Sequence, residues 1–473
     1  MISSLSRRQM MIGSGAASLA ALSGCATVPH GAAGIALPDW READNLANSI
    51  RPPRIAEASF RPAATALSAS DGRDRRPAIQ AAIEEAAASG GGRVVLGEGL
   101  WFSDGPIHLR SGIELHLAKD AVLRFSGNAE SYLPAVLTRW EGTDVYTYSP
   151  FIFATGCTDV ALTGPGTIDG QGEANFLPWR ETQNPIKNIL RNMGRDGVPV
   201  EERVFVGERR LRPHFVQFHE CERVLVDGVT LRDSPFWMIH PVYSRDVTIR
   251  NVTCVSRHVN SDGVDPDSSQ RVLIEDCDFD VGDDGVAIKS GRDQDGWRRG
   301  IPSRNIVIRR CRYLGDTGGA VAIGSEMSGG VSNVWIEDWN LQQSSHALYF
   351  KANLDRGGRI ADIHARNIVC GRTEAALIFT NDYHGYRGGN APPEFTRVTV
   401  ENMRVRQAKY GLAIQGHPDA PVRDVLVAGL VIDEVEVPLE AEDVRNIELV
   451  AVTMNGRAQN IADALPWSDG KSF

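Results

Sequence analysis

A short run of alternating apolar residues, usually opened by Asn, Asp or Arg, returns throughout this chain, and few architectures can absorb it. Runs begin at Asp159, Arg223, Asp246, Arg271, Asn305, Asn333, Ile360, Arg397, Asp424 and Asn446. From Arg223 onward the start-to-start steps are 23, 25, 34, 28, 27, 37, 27 and 22 residues. A period in this range marks a solenoid whose turns bury their apolar faces only by stacking. A second run recurs inside the turns, at 286–289, 321–324, 348–351, 377–380 and 412–415. Alternation with period two makes both runs strands, and stacking them in register gives parallel sheets with rungs about 4.8 Å apart. The expected fold is all-β, a right-handed parallel β-helix. A leucine-rich solenoid would need an LxxLxLxxN consensus and a propeller a Trp-Asp or Gly-His signature, and the chain has neither. The 47 glycines and 7% aromatic content suit a turn-rich β protein.

Ahead of the array, residues 76–88 place Ile79, Ala82, Ile83 and Ala86 at helical spacing and stop at Gly90-Gly91-Gly92. Short strands follow, so residues 54–135 read as an N-terminal cap plus first strands, closing the open end of the stack. Residues 136–473 read as the solenoid proper. Residues 26–53, rich in Pro, Ala and Gly, read as a tether. Residues 1–25 read as a targeting segment. Arg7-Arg8 suits a twin-arginine export signal, and Leu22-Ser23-Gly24-Cys25 suits lipoprotein processing at Cys25, so a protein exported to the periplasm or outer envelope, with a lipid anchor at Cys25, is expected. Residues 173–213 fit no rung and carry eight basic side chains; they read as an excursion between two turns.

The remaining cysteines, Cys157, Cys221, Cys254, Cys277, Cys311 and Cys370, show no metal-ligand spacing. Four of them lie close to successive alternating runs, as an internal column of reduced thiols would. A net charge of −10 excludes nucleic acid as partner. It leaves room for an anionic polysaccharide, because local basic residues can dominate one cleft. No metal or cofactor is implied, and a monomer is expected.

One stretch carries chemistry. Asn260-Ser261-Asp262-Gly263-Val264 and Gly282-Asp283-Asp284-Gly285-Val286 align on Asp-Gly-Val, which puts Asp262 and Asp284 22 residues apart, one turn of the stack. Asp262, Asp283 and Asp284 then meet at one surface. Carboxyl groups so close cannot all ionise freely, and a protonated acid beside an ionised base is what glycosidic hydrolysis requires. An inverting hydrolase separates them by about 6.5–9.5 Å to admit water.

These passages, with Gly324-Ser325-Glu326-Met327-Ser328-Gly329-Gly330, resemble glycoside hydrolase family 28, the polygalacturonase family, whose pectin-lyase-like solenoid matches the array. Arg212-Pro213, Ser234-Pro235-Phe236-Trp237, Ile239-His240-Pro241 and Asp355-Arg356-Gly357-Gly358 resemble bacterial members, several of them exo-acting. The resemblance implies Asp283 as general acid, Asp262 and Asp284 as the groups that hold and activate water, and Lys351 and Tyr383 as substrate-binding residues. It implies a pectic, galacturonic-acid-containing substrate. Two family positions differ: the usual histidine falls on Gly318 or Gly319, and the arginine of Arg-Ile-Lys falls on Tyr349. Registering the rungs puts His346 in the column of Asp284 and Gly319, either standing in for that histidine or lining a sugar subsite. Lys289 either binds substrate or pairs with a carboxylate. Asp265 and Asp267 read as turn-fixing groups, Glu326 as a loop brace, and Arg292, Arg298 and Arg299 as a basic loop.

Two other functions share this fold. A lyase would need a cation, usually Ca²⁺, on the carboxylates and an Arg or Lys as base. A non-catalytic glycan-binding β-helix would use the Asp cluster only as a turn.

Overall fold

The computed structural model describes residues 34–66 and 72–468; Arg7, Arg8 and Cys25 lie outside them. The alternating runs stack in parallel as a β-helix. One column passes through Val160, Val224, Val247, Val272, Ile306, Val334, Ile363, Val398, Val425 and Ile447, each residue paired with the next. A second, the cleft sheet, passes through Val216, Ile239, Val264, Val286, Val321, Leu348, Leu377, Leu412 and Leu439. Both columns point inward and are buried almost completely. All six cysteines outside the targeting segment are buried and unbridged, as small apolar filler should be.

The residue that opens each run has a left-handed backbone: Asp159, Arg223, Asp246, Arg271, Asn305, Asn333, Arg397, Asp424 and Asn446 all lie at φ 52–59°. In the seventh run the left-handed residue is Asp362, not Ile360, which corrects the start read from sequence. The bend, not the first apolar residue, sets the register. Asn and Asp tolerate this conformation and Arg does so at a cost. Here each Arg is tied to a carboxylate of the preceding rung: Arg223 to Asp159 at 2.6 Å, Arg271 to Asp246 at 2.6 Å and Arg397 to Asp362 at 2.5 Å.

The cap helix Arg76–Ala88 buries Ile79, Ala82, Ile83 and Ala86 against the first strands, as its spacing predicts. The strands assigned to the cap are themselves rungs: Gly92–Leu96 pairs with Ile113–Leu117, which pairs with Thr158–Thr163. The stack therefore begins before residue 136. At the other end Thr453–Met454 folds back on Arg457–Ala458 as an antiparallel pair.

The tether expected over residues 26–53 is, from Ile35 on, a strap packed along the solenoid. Its helix Arg41–Ser49 has Ala43 and Ala47 on one face, and with Ile50 they pack on Leu273, Val307 and Trp335. The Ile35 amide bonds Glu448 at 3.0 Å, and Arg51 reaches Asp246 at 2.6 Å. Small residues allow the close approach, and burying them contributes on the order of a few kcal/mol.

The basic excursion lies where expected, between Thr167–Asp169 and Val216–His219. Its helix Arg180–Asp196 stands beside a hairpin, Val136–Trp140 with Thr143–Thr147, to which Val204–Phe205 adds a third strand.

Candidate active site

The Asp-Gly-Val passages lie on adjacent rungs of the cleft sheet, with Val264 paired to Val286, so Asp262 and Asp284 share a column. Gly263 is required there: a Cβ would come 2.3 Å from the Phe279 ring, which wedges beneath both turns. Asn260, left-handed at φ 60°, turns its amide toward Asp283 at 3.1 Å. Arg212, from the end of the excursion, donates to the Asn260 side-chain oxygen Oδ1 at 2.7 Å. Ser261 Oγ donates to the chain at His258 O, 2.5 Å, and accepts from Gly282 N, 3.1 Å. The Asn-Ser-Asp order thus gives one residue to the acid, one to the turn and one to the cluster.

One oxygen from each of Asp262, Asp283 and Asp284 lies within 4.8 Å of the others. This is tighter than the 6.5–9.5 Å expected for a water-filled gap. Asp262 and Asp284 are buried and Asp283 is half-buried. Burial pushes the Asp283 carboxyl up, and the Asp284 charge adds to it. Burial pushes Asp262 up further, with Asp283 and Asp265 contributing. Asp284 goes the other way. Burial opposes its charge, but Lys351 and His346 outweigh burial and hold it well below the usual carboxylate range. The cluster titrates as a unit, with the charge on Asp284 and a proton on the Asp262–Asp283 side.

Lys351 Nζ donates to Asp284 Oδ2 at 2.8 Å, and His346 Nε2 stands 2.9 Å from Asp284 Oδ1. The second contact is close without the alignment of a directed hydrogen bond. His346 lies in the Asp284 column as the register predicts, since Gly319 pairs with His346. It sits on Asp284 and is not among the described residues that line the cleft, so the substrate-binding role is corrected to a contact with the carboxylate. Lys289 resolves toward the carboxylate alternative, with Nζ 3.4 Å from Asp265, 3.6 Å from Glu326 and 4.4 Å from the Trp237 ring centroid. Asp265 and Asp267 are structural, but through long-range pairing rather than turn bonds: Arg139 takes Asp267 at 2.7 Å. Glu326 braces its loop by accepting from Ser325 Oγ at 3.0 Å. Lys289, Arg292 and Arg356 overcome its burial and keep it ionised.

The cleft holds a cavity of about 120 Å³. Asp262, Asp283, Lys289, Lys351 and Tyr383 line it. So do residues that the sequence did not single out as site residues: Glu141, Lys187, Arg191, Ser325, Asn353, Arg356 and His384. Arg292 bonds Glu141 at 2.8 Å, and Arg191 bridges Asp293 at 2.5 Å and Asp355 at 2.9 Å. These ties join hairpin, excursion helix and the helix Asp293–Arg299 into a wall. Of the basic loop, Arg299 serves this wall through Asp144, and Arg298 through Asp295. Tyr349 is buried below the cleft between His346 and Tyr383, with ring centroids 4.9 and 6.0 Å away.

The profile described as glycosyl hydrolases family 28 matches residues 113–415. The chain belongs to this family. A hyperthermoactive exopolygalacturonase from Thermotoga maritima is similar in structure, with a TM-score of 0.83 and 37% identity over 89% of this chain and 96% of that one. A probable polygalacturonase from Vitis vinifera is 30% identical over 75% of this chain and 70% of its own length. A polygalacturonase from Erwinia carotovora, at 22% identity and a TM-score of 0.64 over 85% of this chain and 99% of that one, shares the β-helix. As a family 28 protein the chain is a glycoside hydrolase, and the carboxyl cluster is its candidate centre.

The three carboxyls could also suit a divalent cation. Their surroundings fit one poorly, since both Asp284 oxygens face nitrogen groups and Lys289 stands close behind Asp262 at Asp265.

Proposed function

We propose that this protein is an exo-acting hydrolase of galacturonic-acid-containing pectic chains, working by an acid/base mechanism that inverts the anomeric centre. The observation that carries the reading is the split inside one carboxyl cluster: Lys351 and His346 hold Asp284 below the usual carboxylate range, while burial and the Asp284 charge push Asp283 up beside it. Asp283 gives its proton to the glycosidic oxygen as the bond to the anomeric carbon breaks. Asp284 takes a proton from the water that attacks that carbon, with Asp262 helping to hold the water.

The substrate class follows from charge. Six cations, Lys187, Arg191, Lys289, Arg292, Lys351 and Arg356, line the cleft against Glu141, Glu326, Asp262 and Asp283. Six cations against four acids leave a positive cleft lining on an acidic protein. Lys351 can grip a substrate carboxylate with the hydrogens it does not give to Asp284, and Tyr383 lies beside it, 5.2 Å from Nζ to the ring centroid. The wall of hairpin and excursion supports exo action, and the exopolygalacturonase likeness agrees with it. Export by the Arg7-Arg8 signal and anchoring through Cys25 belong to the same reading, as does a monomeric state, since pectic chains lie outside the cytoplasm.

The test is a time course on homogalacturonan, xylogalacturonan and rhamnogalacturonan oligosaccharides, followed by proton NMR. Release of one saturated terminal unit at a time from the homogalacturonan series, first seen as the inverted anomer, with no response to chelator, is expected. A ladder of internal fragments overturns exo action, and a retained anomer overturns inversion. Unsaturated products abolished by chelator overturn hydrolysis.

A further inference from the structure

Gly319 and His346 sit on adjacent rungs of the same column as Asp284, and they fit together as one device. A Cβ on Gly319 would lie 2.3 Å from His346 Cδ2 and 2.5 Å from Nε2. The imidazole therefore fills the room that a side chain on the neighbouring rung would claim. Its Nε2 ends 2.9 Å from Asp284 Oδ1. On the ring's other side Ser345 Oγ lies 3.0 Å from Nδ1 and 3.2 Å from Gly318 O. A lone pair on Nε2 would face a carboxylate oxygen and repel it, so the ring carries its hydrogen on Nε2.

We propose that His346 is a positioning residue for Asp284, delivered across the gap at Gly319 from a rung two turns away, and that with Lys351 it keeps Asp284 oriented and ionised for water activation. The proposal rests on the hydrolase reading and adds a residue to it. The other groups around Asp284 are Asp262, Asp283 and Asp265, which oppose its charge, and the phenols of Tyr313, Tyr349 and Tyr383, each of which feels it. Lys289 reaches Asp265 rather than Asp284. Lys351 and His346 are thus the two nitrogen groups on Asp284, one to each oxygen.

A Cβ on Gly319 would also lie 2.2 Å from the His346 main-chain oxygen, so the position stays glycine even when the ring is removed. The experiment compares wild type, His346→Ala and His346→Gln. In His346→Ala, kcat is expected to fall about 100-fold, with KM changed less than about threefold. The acid limb of the pH–rate profile should rise by about one unit, as loss of one nearby favourable partner would produce. His346→Gln, which keeps a donor at the same place, should retain much of kcat. If His346→Ala fails to fold, His346→Gln carries the comparison, and its Asp284 titration should stay near that of wild type.

Unchanged kcat and acid limb in folded His346→Ala would overturn the proposal. So would a His346→Gln that folds, by thermal melt, yet is no more active than His346→Ala. Carbon NMR of labelled Asp carboxyls adds a readout that needs no turnover: the Asp284 titration should move up in His346→Ala, and a midpoint that stays put overturns the proposal. If wild type cleaves no pectic oligosaccharide, the hydrolase reading fails, and this titration still decides the role of His346.

Discussion

Acidic residues gather in two columns along this solenoid, and they behave in opposite ways. On the face crossed by the strap, carboxylates alternate with partners: Asp159 with Arg223, Asp246 with Arg271, Asp362 with Arg397, Asp424 with Asn446. Each of these carboxyls is held below its ordinary range by its partner, with burial opposing; at Asp246 burial is the largest opposing influence. On the cleft face Asp262 stacks directly on Asp284 with no cation between them, and Asp283 stands beside both. There burial and mutual repulsion push two of three carboxyls up. The same turn geometry builds both columns. The one in which acids alternate with partners is scaffold, and the one that breaks the alternation is where a proton can be given and taken.

Breaking the cleft column should cost most. Asp283→Asn removes the acid while keeping its shape and its bond to the Asn260 amide, and kcat is expected to fall by about 10³-fold or more with folding intact. Activity near wild type on the same oligosaccharides would move the acid role elsewhere. Next comes Lys351→Met, which removes the cation 2.8 Å from Asp284. Its kcat is expected to drop about 10²-fold and its acid limb to move up by at least one unit. An unchanged acid limb would show that Lys351 serves substrate alone.

The strap-side column should respond in stability, not rate. Asp246→Asn weakens the pairings to Arg271 and Arg51, of which Arg51 is half exposed, so a loss of about 1–2 kcal/mol in chemical denaturation is expected, with kcat within twofold. Because the folded-state pKa of Asp246 is depressed, its contribution is complete above the unfolded carboxyl range and lost as pH falls through the folded value. The penalty of Asp246→Asn should therefore be full at neutral pH and shrink in acid. A penalty independent of pH would mean that packing, not charge, sets it.

The alternating runs and the Asp-Gly-Val doublet made the stack, its register and the Asp262–Asp284 column legible before any coordinates, because period and pairing in a parallel solenoid are local. The placement of His346 followed from the same register. The wall did not follow: Glu141, Arg191 and Arg356 lie far apart in sequence, and only the folded excursion and hairpin bring them to the cleft. The strap was also hidden, since Ala43 and Ala47 carry little hydrophobic signal and gain meaning only against Trp335 and Leu273. The opener at Asp362 was masked by Ile360 and Ala361 just before it, which extend the apolar pattern past the bend.

The most direct measurement is the pH dependence of kcat/KM on a short galacturonate oligomer. With Asp284 depressed and Asp283 raised, activity should be lost on the acid side as Asp284 takes up a proton, below the usual carboxylate range, and on the alkaline side as Asp283 gives its proton up, above that range. The expected result is a bell with its maximum between those limbs. A rate that climbs with pH and never falls on the alkaline side, as a reaction driven by a base alone would show, would contradict the division of charge within the cluster.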